Sequence, residues 1–167
     1  SGPLYISPCS GYWSEWTENA EDWFKTLGYN TNFIQWPSKT ALAGFLADPG
    51  TEVFYEIAHG TSYGFTPNCY YGPGSMVEPV NVQQWLTDRS EIPFTFIASC
   101  EGMCNAGPGT LSHSFRKGSN SDTVTLGYCG MSGAQCFSCW SQSINWQDNF
   151  FSYINQGETI KQAFNNA

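Results

Sequence analysis

The spacing of apolar positions changes along the chain, and each change marks an element. Trp16, Ala20, Trp23, Phe24 and Leu27 recur at i, i+4, i+7, i+8 and i+11, which places them on one face and predicts an amphipathic helix over 15–27. Glu15, Glu18, Glu21 and Asp22 fall in its first half, Lys25 in its last turn and Gly28 just beyond, an order that suits the helix dipole and a glycine stop. Short β-prone runs flank it at 3–6 and 31–36. Residues 52–58 (EVFYEIA) and 93–98 (PFTFIA) are nearly continuous apolar runs, the pattern of central parallel strands covered on both faces. Residues 123–128 read as a further strand.

Helical spacing returns in short stretches between these strands. One begins at Ser38, turns Leu42, Phe45 and Leu46 inward and ends at Pro49-Gly50; others lie around Val82, Trp85 and Leu86 and over 110–117, with Leu111 and Phe115 inward. Residues 61–80 (rich in Gly, Pro and Tyr) and 129–147 (rich in Cys, Ser and Trp) read as long loops. Residues 148–166 close the chain as helix, broken at Gly157.

Strands alternating with helices predict an α/β fold, a three-layer sandwich with a mostly parallel sheet flanked by helices, as one domain over 1–167. Right-handed crossovers bring the carboxyl ends of parallel strands to one edge, where open α/β sheets bind ligands. His59, Cys100 and the 129–147 segment are therefore expected on the same side.

Composition narrows the function. Hydrophobic residues make up 41% of the chain and aromatics 17%, which excludes wholesale disorder. Six Lys+Arg against fourteen Asp+Glu leave a net charge of −8, so no basic stripe can track nucleic-acid phosphates, and an anionic membrane surface is disfavoured. No apolar run approaches the ~18 residues that insertion into a bilayer needs. Seven cysteines in a Lys-poor chain point to an oxidising compartment, hence an extracellular or cell-surface location. The count is odd, so three bridges leave one thiol over. Cys136-x-x-Cys139 lacks a second pair in the right element for zinc and a strand-to-helix setting for redox work, so these cysteines are read as bridge-formers; no metal or cofactor is expected.

Cys100 and His59 carry the candidate chemistry. They end the two most strand-like runs, and each has glycine close by: Ala58-His59-Gly60 and Cys100-Glu101-Gly102. A thiol nucleophile needs an imidazole or a cation nearby to raise its thiolate fraction. Glycines allow close backbone approach, and the main-chain N–H groups of Gly60 and Cys100 are the candidates for an oxyanion hole.

These residues resemble the caspase/legumain/gingipain clan of cysteine peptidases. The His-Gly after one strand and the Cys-x-Gly about forty residues later, after the next, match the order of that clan, and Phe96-Ile97-Ala98-Ser99-Cys100-Glu101-Gly102-Met103 is similar to the legumain-type nucleophile segment. The closing stretch from Asn149-Phe150-Phe151 to Ala163-Phe164 resembles the last helices of gingipain-like members. The resemblance implies that Cys100 attacks the scissile carbonyl through a thioester acyl-enzyme and that His59 protonates the leaving amine. It further implies that Cys129-Gly130-Met131-Ser132 lines the groove for a peptide or protein substrate; an amine acceptor in place of water would make the same chemistry a transpeptidase. Ala98 stands where caspases carry Gln and metacaspases Asp, so their S1 ligands do not transfer, and Glu101 and Asp148 remain guesses for that role.

A second class stays open: an inactive, disulfide-stabilised extracellular module of the same fold, used for adhesion or self-assembly. An unbridged Cys100 favours the enzyme, and a bridged one the module. The tryptophans read as core and loop anchors, with a Trp140/Trp146 pair as a candidate groove wall, and His113 is expected to play no part.

Overall fold

The computed structural model describes residues 4–7, 11–67, 74–89, 91–117, 123–130 and 139–167. Its centre is a five-stranded sheet in the order β2-β1-β3-β6-β7, formed by β1 (Leu4–Ser7), β2 (Asn32–Gln35), β3 (Val53–Glu56), β6 (Phe94–Ile97) and β7 (Val124–Gly127), with every neighbouring pair parallel. Residues 59–66 form a separate antiparallel hairpin, β4 (His59–Thr61) and β5 (Gly64–Thr66). The helices are α1 (Gly11–Thr26), α2 (Lys39–Ala47), α3 (Pro79–Trp85), α4 (Leu111–Phe115), α5 (Trp140–Asn155) and α6 (Ile160–Asn166).

The apolar runs at 52–58 and 93–98 become β3 and β6, buried at every position. Because strand side chains alternate, the two strands feed two cores. Val53, Tyr55, Phe94 and Phe96 pack with Trp16 and Phe24 of α1, Phe150 and Phe151 of α5 and Ala163 of α6. Phe54 and Ile97 face the other way, onto Leu42 and Leu46 of α2, Val82 of α3 and Leu111 and Phe115 of α4. Each of these large side chains, fully buried, is worth about 1.5–3 kcal/mol. The helices that cover the sheet thus lie on both faces. No helix among the described residues is long and apolar enough to cross a membrane.

Three sequence expectations need correction. The first helix begins at Gly11 rather than 15, so the helical face extends back to buried Trp13. The 61–80 stretch is not all loop: it carries the β4–β5 hairpin, and Phe65 bridges Val77 through two main-chain bonds of 3.1 and 2.7 Å. The 129–147 stretch becomes helix from Trp140, and residues 131–138 lie outside the described residues. Helical spacing was hard to see there because two of its inward positions, Ser143 and Gln147, are polar. The break at Gly157 is present, at φ 93°, between α5 and α6.

Strand order decides where a site can form. From β1 the chain moves outward to β2, whereas from β3 it moves the opposite way to β6 and β7. The crevice of such a sheet opens at the carboxyl ends of the strands beside the reversal, β1 and β3. His59 follows β3, and Cys100 follows the adjacent β6.

Candidate active site

The register Glu56↔Ile97 and the continuing bond from Ala98 N–H to the Glu56 carbonyl (2.9 Å) run β3 and β6 side by side to their carboxyl ends. Three residues on, His59 and Cys100 leave the sheet at the same level. Contact between the two segments is close: a Cβ placed on Gly60 would lie 2.5 Å from Ser99 Cβ, 2.8 Å from Ser99 Oγ and 3.1 Å from the Cys100 carbonyl oxygen. A Cβ on Gly102 would lie 2.9 Å from Ile97 Cγ2 and 3.1 Å from Ser99 Oγ. A side chain at Gly60 is thus blocked by Ser99, and one at Gly102 first by Ile97 and then by the Ser99 hydroxyl.

Ser99 is held from below. Its hydroxyl donates to Glu56 Oε1 at 2.7 Å, and its main-chain N–H donates to the same oxygen at 3.2 Å. Glu56 is fully buried, and its Oε2 has no hydrogen-bond partner among the described residues. Burial pushes its carboxyl up to about 8, against the two Ser99 bonds that pull it down. Sequence reading passed over Glu56 because it sits within an otherwise apolar run, yet that position was itself the signal. A carboxyl inside a doubly covered strand must be neutral, bonded or both.

His59 turns toward α1, where its ring meets the Trp13 indole edge-on with centroids 4.7 Å apart. Desolvation lowers its pKa below the ordinary 6.5, which keeps the imidazole neutral at pH 7. Trp13 precedes the face picked out by the sequence pattern and was not foreseen as a neighbour of the site.

Cys100 is 9% exposed and stands outside any disulfide, whereas Cys104 is bonded to Cys129 and Cys139 is also disulfide-bonded. Cys9, Cys69 and Cys136 lie outside the described residues. The Cys104–Cys129 bridge ties the turn after Cys100 to the segment after β7. Two main-chain bonds reinforce it: Glu101 N–H to the Gly130 carbonyl (2.7 Å) and Met103 N–H to the Tyr128 carbonyl (3.0 Å). Glu101 has φ 57°, so the chain turns sharply at a strained residue immediately after the thiol.

Of the predicted groove residues, Gly130 is thus brought beside the Cys100 turn, while Met131 and Ser132 lie outside the described residues. Asp148 is committed elsewhere: its Oδ1 accepts from Trp23 Nε1 at 2.7 Å and from Asn19 Nδ2 at 2.9 Å. Trp146 stacks on Phe150 with centroids 5.1 Å apart, partly buried against the α1-side core; the side chain of Trp140 lies outside what is described. His113 lines a cavity of about 390 Å³ with Gln83, Thr87, Ser114 and Lys117, away from the dyad. A mostly apolar hollow of about 380 Å³ lies between β7 and α5, lined by Tyr128, Ser143 and Trp146 among others; His59 and Cys100 do not line it. Among the described residues, no cluster of three or more His, Cys, Asp or Glu is placed to hold a metal ion.

No protein-family model and no curated protein matches this chain.

Proposed function

We propose that this protein is a cysteine peptidase of caspase-like fold acting through Cys100 and His59, at an extracellular or cell-surface location. One observation carries the reading: Cys100 remains a thiol while Cys104, Cys129 and Cys139 are bridged, and it leaves β6 beside the segment on which β3 delivers His59. A neutral imidazole is the form that accepts a thiol proton. In this reading Cys100 Sγ attacks the scissile carbonyl as its proton passes to His59. The proton then goes to the leaving amine, and water hydrolyses the thioester.

Hairpin geometry supports the Gly60 N–H as one oxyanion donor. Phe65, which opposes Gly60, gives both its main-chain groups to Val77, so the Gly60 amide points away from β5. The Cys100 N–H is the second donor. Gly130, held against the Glu101 amide, would be the described part of the groove wall.

The test is selective alkylation. Iodoacetamide applied to the native protein is expected to label Cys100 alone, by peptide mapping, and to abolish hydrolysis of an unbiased peptide library. Labelled protein that still cleaves, or untreated protein that cleaves nothing in the library, overturns the reading. The low exposure of Cys100 favours a second reading, an inactive module of the same fold that associates with copies of itself. That reading predicts concentration-dependent mass in sedimentation and no turnover.

A further inference from the structure

We propose that Glu56 is a positioning residue for the thiol: acting through Ser99, it fixes the peptide that carries the Cys100 amide and side chain. The proposal rests on the cysteine-peptidase reading for its catalytic meaning, but its geometry stands by itself. Glu56 Oε1 receives both donors of Ser99, the hydroxyl at 2.7 Å and the amide at 3.2 Å. Ser99 in turn fills the space that Gly60 leaves empty, so one buried carboxyl sets the spacing between the His59 segment and the Cys100 segment. Tyr55 and Ile57, the chain neighbours of Glu56, belong to the opposite, α1-side core, which leaves the carboxyl on the α2–α4 side.

An uncharged carboxyl is needed there. The thiolate and the oxyanion that would form at the Cys100 amide are both negative, and an ionised Glu56 one residue below would oppose both through a poorly screened interior. With its pKa pushed up to about 8 by burial, Glu56 is neutral through the physiological range and ionises just above it. Among the described residues, the titratable groups at this end of the sheet include His59 on β4, Cys100, exposed Glu101 in the turn after β6 and Tyr128 after β7. From the helices and turns of the same face, Lys39, Arg89 and Lys117 bond main-chain carbonyls elsewhere, Arg116 bonds the Ser112 carbonyl, and His113 lines its own cavity.

The experiment follows the rate of iodoacetamide labelling of Cys100 against pH, read by mass spectrometry, together with peptide hydrolysis. In the wild type the rate is expected to rise with thiol ionisation and then bend downward near pH 8, by roughly tenfold relative to a single-ionisation curve. Glu56→Gln keeps the acceptor for Ser99 and is expected to remove the bend. Ser99→Ala removes the hydroxyl that pulls the carboxyl down, so its bend is expected to move to higher pH. If Glu56→Gln does not fold, the direction of the Ser99→Ala shift decides by itself. A bend that neither variant moves, or a wild-type curve with no bend, overturns the proposal. A bend that responds as stated in a protein that cleaves no peptide keeps the positioning role and removes the peptidase.

Discussion

Two buried polar nodes lie on opposite faces of the sheet, and they are completed differently. On the α1 side, Gln147 of α5 uses every hydrogen-bonding position of its amide. Its oxygen accepts from Trp16 Nε1 (2.7 Å) and the Tyr55 hydroxyl, and its nitrogen donates to the Trp16 carbonyl (3.2 Å) and to Asn19 Oδ1. On the α2–α4 side, Glu56 receives both Ser99 donors on one oxygen and leaves the other without a partner among the described residues. A saturated node specifies one packing of α1 against α5 and does nothing else. An unsaturated one retains a cost of burial, and here that cost sits against Ser99, the residue before the candidate thiol. The two nodes thus differ in how completely each group is bonded, since both are equally hidden from water.

The contrast can be broken in order of expected size. Cys100→Ala should lower peptide turnover by on the order of 10⁴-fold or more while leaving Tm close to wild type, because only the nucleophile is lost. Stability should also depend on Glu56. Unfolded, the carboxyl loses its proton near 4.5; folded, it keeps it to about 8. Between those values the folded state binds more protons, so stability is highest at the acid end, falls as pH rises through the window and levels off above about 8. The total is about 5 kcal/mol at the usual ~1.4 per unit. Denaturant melts of Glu56→Gln should lack this slope, and equal slopes in the two proteins would assign it to other groups.

Gln147→Leu should cost about 3 kcal/mol in the same melts by leaving Trp16 Nε1 and the Tyr55 hydroxyl buried without their acceptor. It should leave the pH slope and the Cys100 labelling curve unchanged, the sharpest difference expected between the nodes. Replacing Cys104 and Cys129 together by Ser opens a loop with a sequence separation of 25, a loss of about 3 kcal/mol on the chain-entropy model. Because that bridge ties the Cys100 turn to Gly130, hydrolysis should fall by more than Tm alone explains.

The smallest effect belongs to His59. Its lowered pKa means that the unfolded chain takes up a proton first as pH drops below 6.5. Stability should therefore decline from 6.5 down through the lower folded value, and His59→Gln should remove that slope.

The sequence made the frame legible. Continuous apolar runs gave β3 and β6, helical spacing gave the core of α1, and Gly157 gave the break between α5 and α6. It also raised Cys100 and His59 as a pair, because each ended a buried run beside glycine. Less legible was anything built from polar groups inside the core. The start of α5 read as loop because Ser143 and Gln147 do not look like inward positions until α1 is placed against them. The β4–β5 hairpin was obscured because Gly, Ser and Tyr set no clear alternation.

Amino-acid order alone determined which segments must be buried, since hydrophobic period is a local property. It determined too that one cysteine could be left unbridged, because seven is odd. Only the tertiary structure decided that Cys100 is a thiol outside the bridges, that Ser99 fills the space at Gly60, and that Glu56 holds Ser99. Those facts depend on β3 and β6 pairing in one register, a choice made by packing across 43 residues of chain rather than by neighbours in sequence.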